Sequence, residues 1–164
     1  MPRMSPTHRR YLLLDQGIGA GVVNLLLNAA IAWATFRGAT TVPLWGQQSI
    51  GGDTIGTTFF LPFFTTLIAS RIVRSQVRSG RVPPLPWAGP SLLRRLPASL
   101  AGRGTLLGIA CIAVVGIPAT WMMGAADVGP MTFGGFIAFK ALFAAVLGMV
   151  VTPVIARMAL ADAA

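Results

Sequence analysis

The stretch from Gly17 to Phe36, GIGAGVVNLLLNAAIAWATF, constrains the fold more than any other. It is apolar enough to cross a bilayer, yet it carries Asn24 and Asn28 inside it. A helix turning about 100° per residue puts Gly17, Gly21, Asn24, Asn28 and Thr35 on one narrow stripe. Lipid offers a carboxamide no hydrogen bond, so the stripe must face protein or water, and glycine lets a neighbouring backbone come close. A chain built around such a segment is expected to be a polytopic membrane protein whose helices meet through small residues.

The composition points the same way. Of 164 residues only 10% are charged, against about 25% in an average soluble domain. Each crossing takes about 20 residues, so the length accommodates one membrane domain, residues 1–164, with spans expected at 11–36, 53–73, 105–124 and 132–160. The expected fold class is all-α, a four-transmembrane-helix bundle. A net charge of +9 would suggest nucleic acid in a soluble protein. Here the arginines flank the spans and read as topology signals, and no nucleic-acid partner is expected.

Of the Lys and Arg residues, three lie in the N-terminal tail, one in the first loop, seven in the second and none in the third, with Arg157 near the end. That bias places both termini and the 74–104 loop in the cytoplasm, in a bacterial inner membrane. The tail, MPRMSPTHRR, reads as short and irregular. A cleaved signal peptide is the alternative, opposed by the two asparagines and the length of the apolar run. Within the loop, RVPPLPWAGP reads as a stiff polyproline-like linker or a PxxP ligand. SLLRRLPASL reads as an interfacial piece, and Arg74, Arg78, Arg81, Arg94 and Arg95 are expected to meet anionic lipid.

The second span holds FFLPFF around Pro62, with Thr57, Thr58, Thr65 and Thr66 nearby. Proline frees a carbonyl that hydroxyls or water can satisfy, so a kink is expected. In the fourth span Gly134, Ala138, Ala141, Ala145, Gly148 and Thr152 form a ridge of small side chains, suited to the first span's stripe or to a second copy in a homo-oligomer. The halves also resemble each other: TLIASR ends at Arg71 as TPVIAR ends at Arg157, and Trp33 and Trp121 each adjoin an Ala-Thr pair. A parallel duplication of a helical hairpin, about an axis along the membrane normal, would produce this.

Chemistry-bearing residues are few. Cys111 and His8 are the sole cysteine and histidine, and the acids are Asp15, Asp53, Asp127 and Asp162. No disulfide, metal site, cofactor or phosphate loop is expected, and no nucleophile with its base, so the chain does not read as an enzyme. Lys140 is the one base well inside an apolar segment. It has three readings: snorkelling to the outer surface, pairing with Asp53 at equal height roughly 26 Å above the inner arginines, or binding substrate as a cation. Asp15 reads as an interfacial partner of Arg9 and Arg10, or as a proton-coupling group. Asn24 and Asn28 read as packing hydrogen bonds or, with Thr57, Thr58, Thr65, Thr66 and Lys140, as the lining of a polar pathway. The function expected is a small permease-like or channel-like transporter acting as an oligomer. The alternative is an accessory protein whose basic loop docks a partner protein or anionic lipid.

Overall fold

The computed structural model describes residues 6–85 and 96–163. Four helices dominate it: α1 (Pro6–Phe36), α2 (Ile50–Arg78), α3 (Leu100–Ala125) and α4 (Phe133–Asp162), each long and apolar enough to cross a membrane. The chain is thus an all-helical integral membrane protein. Each helix outruns its expected span. α1 takes in the basic tail from Pro6, and α2 runs on through Arg71, Arg74 and Arg78, because arginine is a good helix former whose long stem lets the charge reach water. Of the polyproline stretch 81–90 and the interfacial stretch 91–100, residues 86–95, with Arg94 and Arg95, lie outside the described residues.

Three of the helices start on the same device. Ser49, Ser99 and Thr132 precede α2, α3 and α4, and each side-chain oxygen accepts from the backbone N–H three residues on, at Gly52, Gly102 and Gly135. This satisfies an N–H that the helix itself leaves unpaired. α2 stays continuous across Pro62, and two threonines bond back to it, Thr66 Oγ1 donating to the Pro62 carbonyl at 2.7 Å and Thr58 Oγ1 to that of Ile55 at 2.8 Å. It ends before Gly80, whose φ of +71° turns the chain away, a conformation glycine adopts without strain.

The helices do not close into a square. α1 packs along α4, α4 along α2, and α2 along α3, so α1 joins the rest chiefly through α4. Small residues permit each approach. Gly17 and Gly21 lie against Met149 of α4, and Gly148 of α4 lies under the Asn24 side chain. On the far side Gly104 and Gly108 of α3 lie against Phe63 and Phe59 of α2. Of the α4 ridge, Ala141, Ala145, Gly148 and Thr152 are buried, while Gly134 and Ala138 are exposed. The α1 stripe likewise shifts: Gly17, Gly21, Asn28, Ala32 and Phe36 are its buried members, and Thr35 is exposed.

At one end a two-residue strand pair, β1 (Thr41–Val42) and β2 (Met131–Thr132), joins the two short loops antiparallel, with Thr41 opposite Thr132. At the other end Tyr11, Leu12, Val73, Ala156, Ala159 and Leu160 form one cluster. Above it the Tyr11 hydroxyl donates to Gln76 Oε1 at 2.5 Å, and His8 Nε2 lies 2.9 Å from the Pro83 carbonyl. His8 is therefore helical and buried, where the sequence suggested an irregular tail. A charged clasp completes this end: Asp162 of α4 accepts from Arg74 of α2 at 2.7 Å and from Arg103 of α3 at 2.6 Å. Asp162→Ala strands the buried Arg103 guanidinium, and the expected cost is about 2 kcal/mol. Arg78→Ala, at an exposed position, should stay within about 0.5 kcal/mol of the parent. Unfolding in mixed micelles measures both.

Candidate functional site

Because α1 and α2 both lean on α4, a groove of about 860 Å³ lies between them with α4 as its floor. Along α2 its lining runs from Asp53 to Ile72, and along α1 from Ile31 to Asp15. The α2 stretch is about 28 Å long at 1.5 Å per residue, close to the ~30 Å thickness of a bilayer's hydrocarbon core.

The FFLPFF block builds one wall. Phe59 and Phe63 stack on each other and take the glycines of α3, while Phe60 and Phe64 stack one position round the helix and line the groove. The threonines divide in the same way. Thr57 and Thr65 line the groove with no hydrogen-bond partner among the described residues. Thr58 is bonded back to its own helix and faces Gly116 of α3, and Thr66 is bonded to the Pro62 carbonyl. Thr58 and Thr66 therefore do not line the groove, because residues one apart on a helix point about 100° apart.

Asn24 and Asn28 both line the groove. Asn24 Nδ2 donates to the Ala20 carbonyl at 2.9 Å and Asn28 Nδ2 to the Asn24 carbonyl at 3.0 Å. A backbone carbonyl can only accept, so each amide oxygen is left as a free acceptor. Thr152, 4% exposed, contributes from the floor a buried Oγ1 with no partner among the described residues. Each such group favours a polar occupant, since an unmade buried hydrogen bond costs about 1–3 kcal/mol.

Lys140 and Asp53 stand at the β1–β2 end of the groove. Lys140 Nζ donates to Asp53 Oδ1 at 2.5 Å, and the two side chains are 5% and 15% exposed. Lys140 does not snorkel to the surface: Asp53, in the first turn of α2, gives its ammonium a carboxylate within the protein. Asp15 occupies the opposite mouth. It makes no ion pair with Arg9 or Arg10 among the described residues. No protein family, curated protein or solved structure matches this chain. The chemistry of the groove must be read from its own residues.

Sequence reasoning did not place Asp15, Gln16, Thr152, Phe60 and Phe64 here. The cause for the first two is local: Tyr11–Ile18 winds as a π-helix, and the Gly19 N–H donates to the Leu14 carbonyl, five residues back rather than four. That wider turn shifts the facing of every residue before it relative to an ideal α-helix. A second π-turn, Ile112–Gly116, lies in α3.

Proposed function

We propose that the protein is a small permease-like transporter whose substrate pathway is the groove between α1 and α2. The observation that carries this reading is the length of the groove: a lining with unpaired polar groups follows α2 for nearly a bilayer thickness. A helix pair with no more than a structural role gains nothing from unsatisfied hydroxyls at that depth. Asp53–Lys140 closes one mouth as an ion pair that a charged substrate or a proton can exchange with, and Asp15 marks the other. The arginine-rich end faces the cytoplasm of a bacterial inner membrane under the positive-inside rule, with both termini there. Trp33, Trp45 and Trp121, all exposed near the β1–β2 end, suit the opposite interface. The groove is open on the side away from α4, and in this reading the protein acts as an oligomer whose second copy covers it. In the same reading exposed Arg78 and Arg81 meet anionic lipid headgroups.

A duplicated hairpin accounts for the architecture. Gly17 and Gly21 on α1 correspond to Gly104 and Gly108 on α3 at a constant offset, 104 − 17 = 108 − 21 = 87, and Lys140 to Asp53 at the same offset, 140 − 53 = 87. A two-fold axis along the membrane normal exchanges α1–α4 packing with α3–α2 packing and brings the equivalent strands β1 and β2 together antiparallel.

The test is access of water. With Cys111→Ala as background, single cysteines at Asn24, Asn28, Thr57 and Thr65 in proteoliposomes should react with a water-soluble methanethiosulfonate, and one at exposed, lipid-facing Val146 should not. Protection of all four groove positions describes a dry interface and removes the transport reading in favour of the accessory one.

A further inference from the structure

The groove's charges and rings point to one kind of ligand. Asn24 and Asn28 each spend one N–H on their own helix and keep an unpaired amide oxygen beside the second N–H. Gln16 likewise donates one Nε2 hydrogen to the Tyr11 hydroxyl at 3.0 Å, which leaves its Oε1 to accept. Asp15 adds a carboxylate with no ion pair among the described residues. Thr57, Thr65 and the buried Thr152 add hydroxyls, which accept as well as donate. Against these acceptors stands one cation, Lys140, already held by Asp53, so the lining carries a net charge of −1. The wall facing the Asn pair offers the rings of Phe60 and Phe64, whose faces attract cations. An anion would meet uncompensated negative charge here, whereas a cationic N–H donor finds a free carboxylate, amide oxygens and ring faces.

We infer that the groove takes amphipathic organic cations, ammonium compounds with an apolar and preferably aromatic body. This rests on the reading of the groove as a substrate pathway and names the class of substrate. The Lys140 ammonium seated on Asp53 is an internal example of the same recognition, a tethered amine at the mouth that an incoming one displaces. The carboxamide oxygens of Asn24 and Asn28 then receive the N–H groups at mid-depth without a full counter-charge, which keeps binding weak enough for release towards Asp15. The Thr152 hydroxyl gains the partner it lacks.

Three probes with one body and different heads decide the class: 4-phenylbutylamine, 4-phenylbutanol and 4-phenylbutyrate, titrated calorimetrically into the protein in nanodiscs of zwitterionic lipid, with empty nanodiscs as baseline. The amine is expected to bind about tenfold more tightly than the alcohol, the yield of one charge-assisted hydrogen bond, and the carboxylate more weakly than either. Asn28→Leu and the exposed Asp15→Asn should each weaken the amine about tenfold and weaken the alcohol by less. Equal affinity for amine and alcohol, tighter binding of the carboxylate, amine binding indifferent to both substitutions, or no binding at all overturns the inference. Uptake of the same probes into proteoliposomes separates the two readings. Amine that binds but is not moved leaves the class standing and defeats transport. Movement of the carboxylate instead defeats the class and leaves transport standing.

Discussion

Asp53→Ala is expected to destabilise the bundle by about 3 kcal/mol, the usual scale for removing one member of a buried ion pair. Lys140 is 4% exposed and its ammonium has Asp53 as its carboxylate partner. Without it the amine must be desolvated unpaired, lose its proton, or drag its stem towards water. The double substitution Asp53→Ala with Lys140→Met removes the charge as well as its partner and should recover to within about 1 kcal/mol of the parent, since apolar replacements of buried pairs are often neutral. Reversible unfolding in mixed micelles, read by far-ultraviolet circular dichroism, measures both. A single substitution no more harmful than the double one would mean that Lys140 gains nothing from Asp53. If the pair also forms the mouth of the pathway, the double variant should be stable and inactive, which separates the structural contribution from the functional one.

Gly108→Ala should cost about 1–3 kcal/mol, although alanine is the better helix former. A Cβ there would sit 2.7 Å from the Phe59 ring and 2.9 Å from the Phe59 carbonyl oxygen. The ring can move, but the carbonyl belongs to the α2 backbone, so α3 must retreat along its whole contact with α2. Gly134→Ala provides the contrast. Nothing lies within 4 Å of a Cβ at Gly134, and the change should be neutral or stabilising by up to about 1 kcal/mol. The same unfolding assay compares the two. Equal stabilities would show that α2 and α3 are not held by close backbone approach.

Much of this architecture is visible in the residues and some of it is not. Length and apolarity define the four helices, and the stripe of Gly17, Gly21 and Asn24 announces a close partner. α4 is that partner: Met149 sits on Gly17 and Gly21, and Gly148 makes room for Asn24, so a small residue on one side of each contact admits a larger one on the other. Two things escape periodicity. A block such as Thr57, Thr58, Thr65 and Thr66 is polar as a whole, and which hydroxyls face a groove depends on where the neighbouring helices stand. Backbone winding is the other. Tyr11–Ile18 contains no residue that demands a π-helix, yet that winding accompanies the placement of Asp15 and Gln16 on the groove. Helix ends fail for a simpler reason: hydropathy falls at the arginines, whereas helix propensity does not.

The row-like order of the helices bears on how the protein is made. α1 leaves the ribosome before α4, its main docking surface, so Asn24 and Asn28 enter the bilayer before the Gly148 surface exists. Until α4 is made, α1 carries two amides turned towards whatever the translocon or lipid provides. The α1–α4 contact must therefore close late, and a chain stopped before α4 would leave α1 the most exposed to quality control.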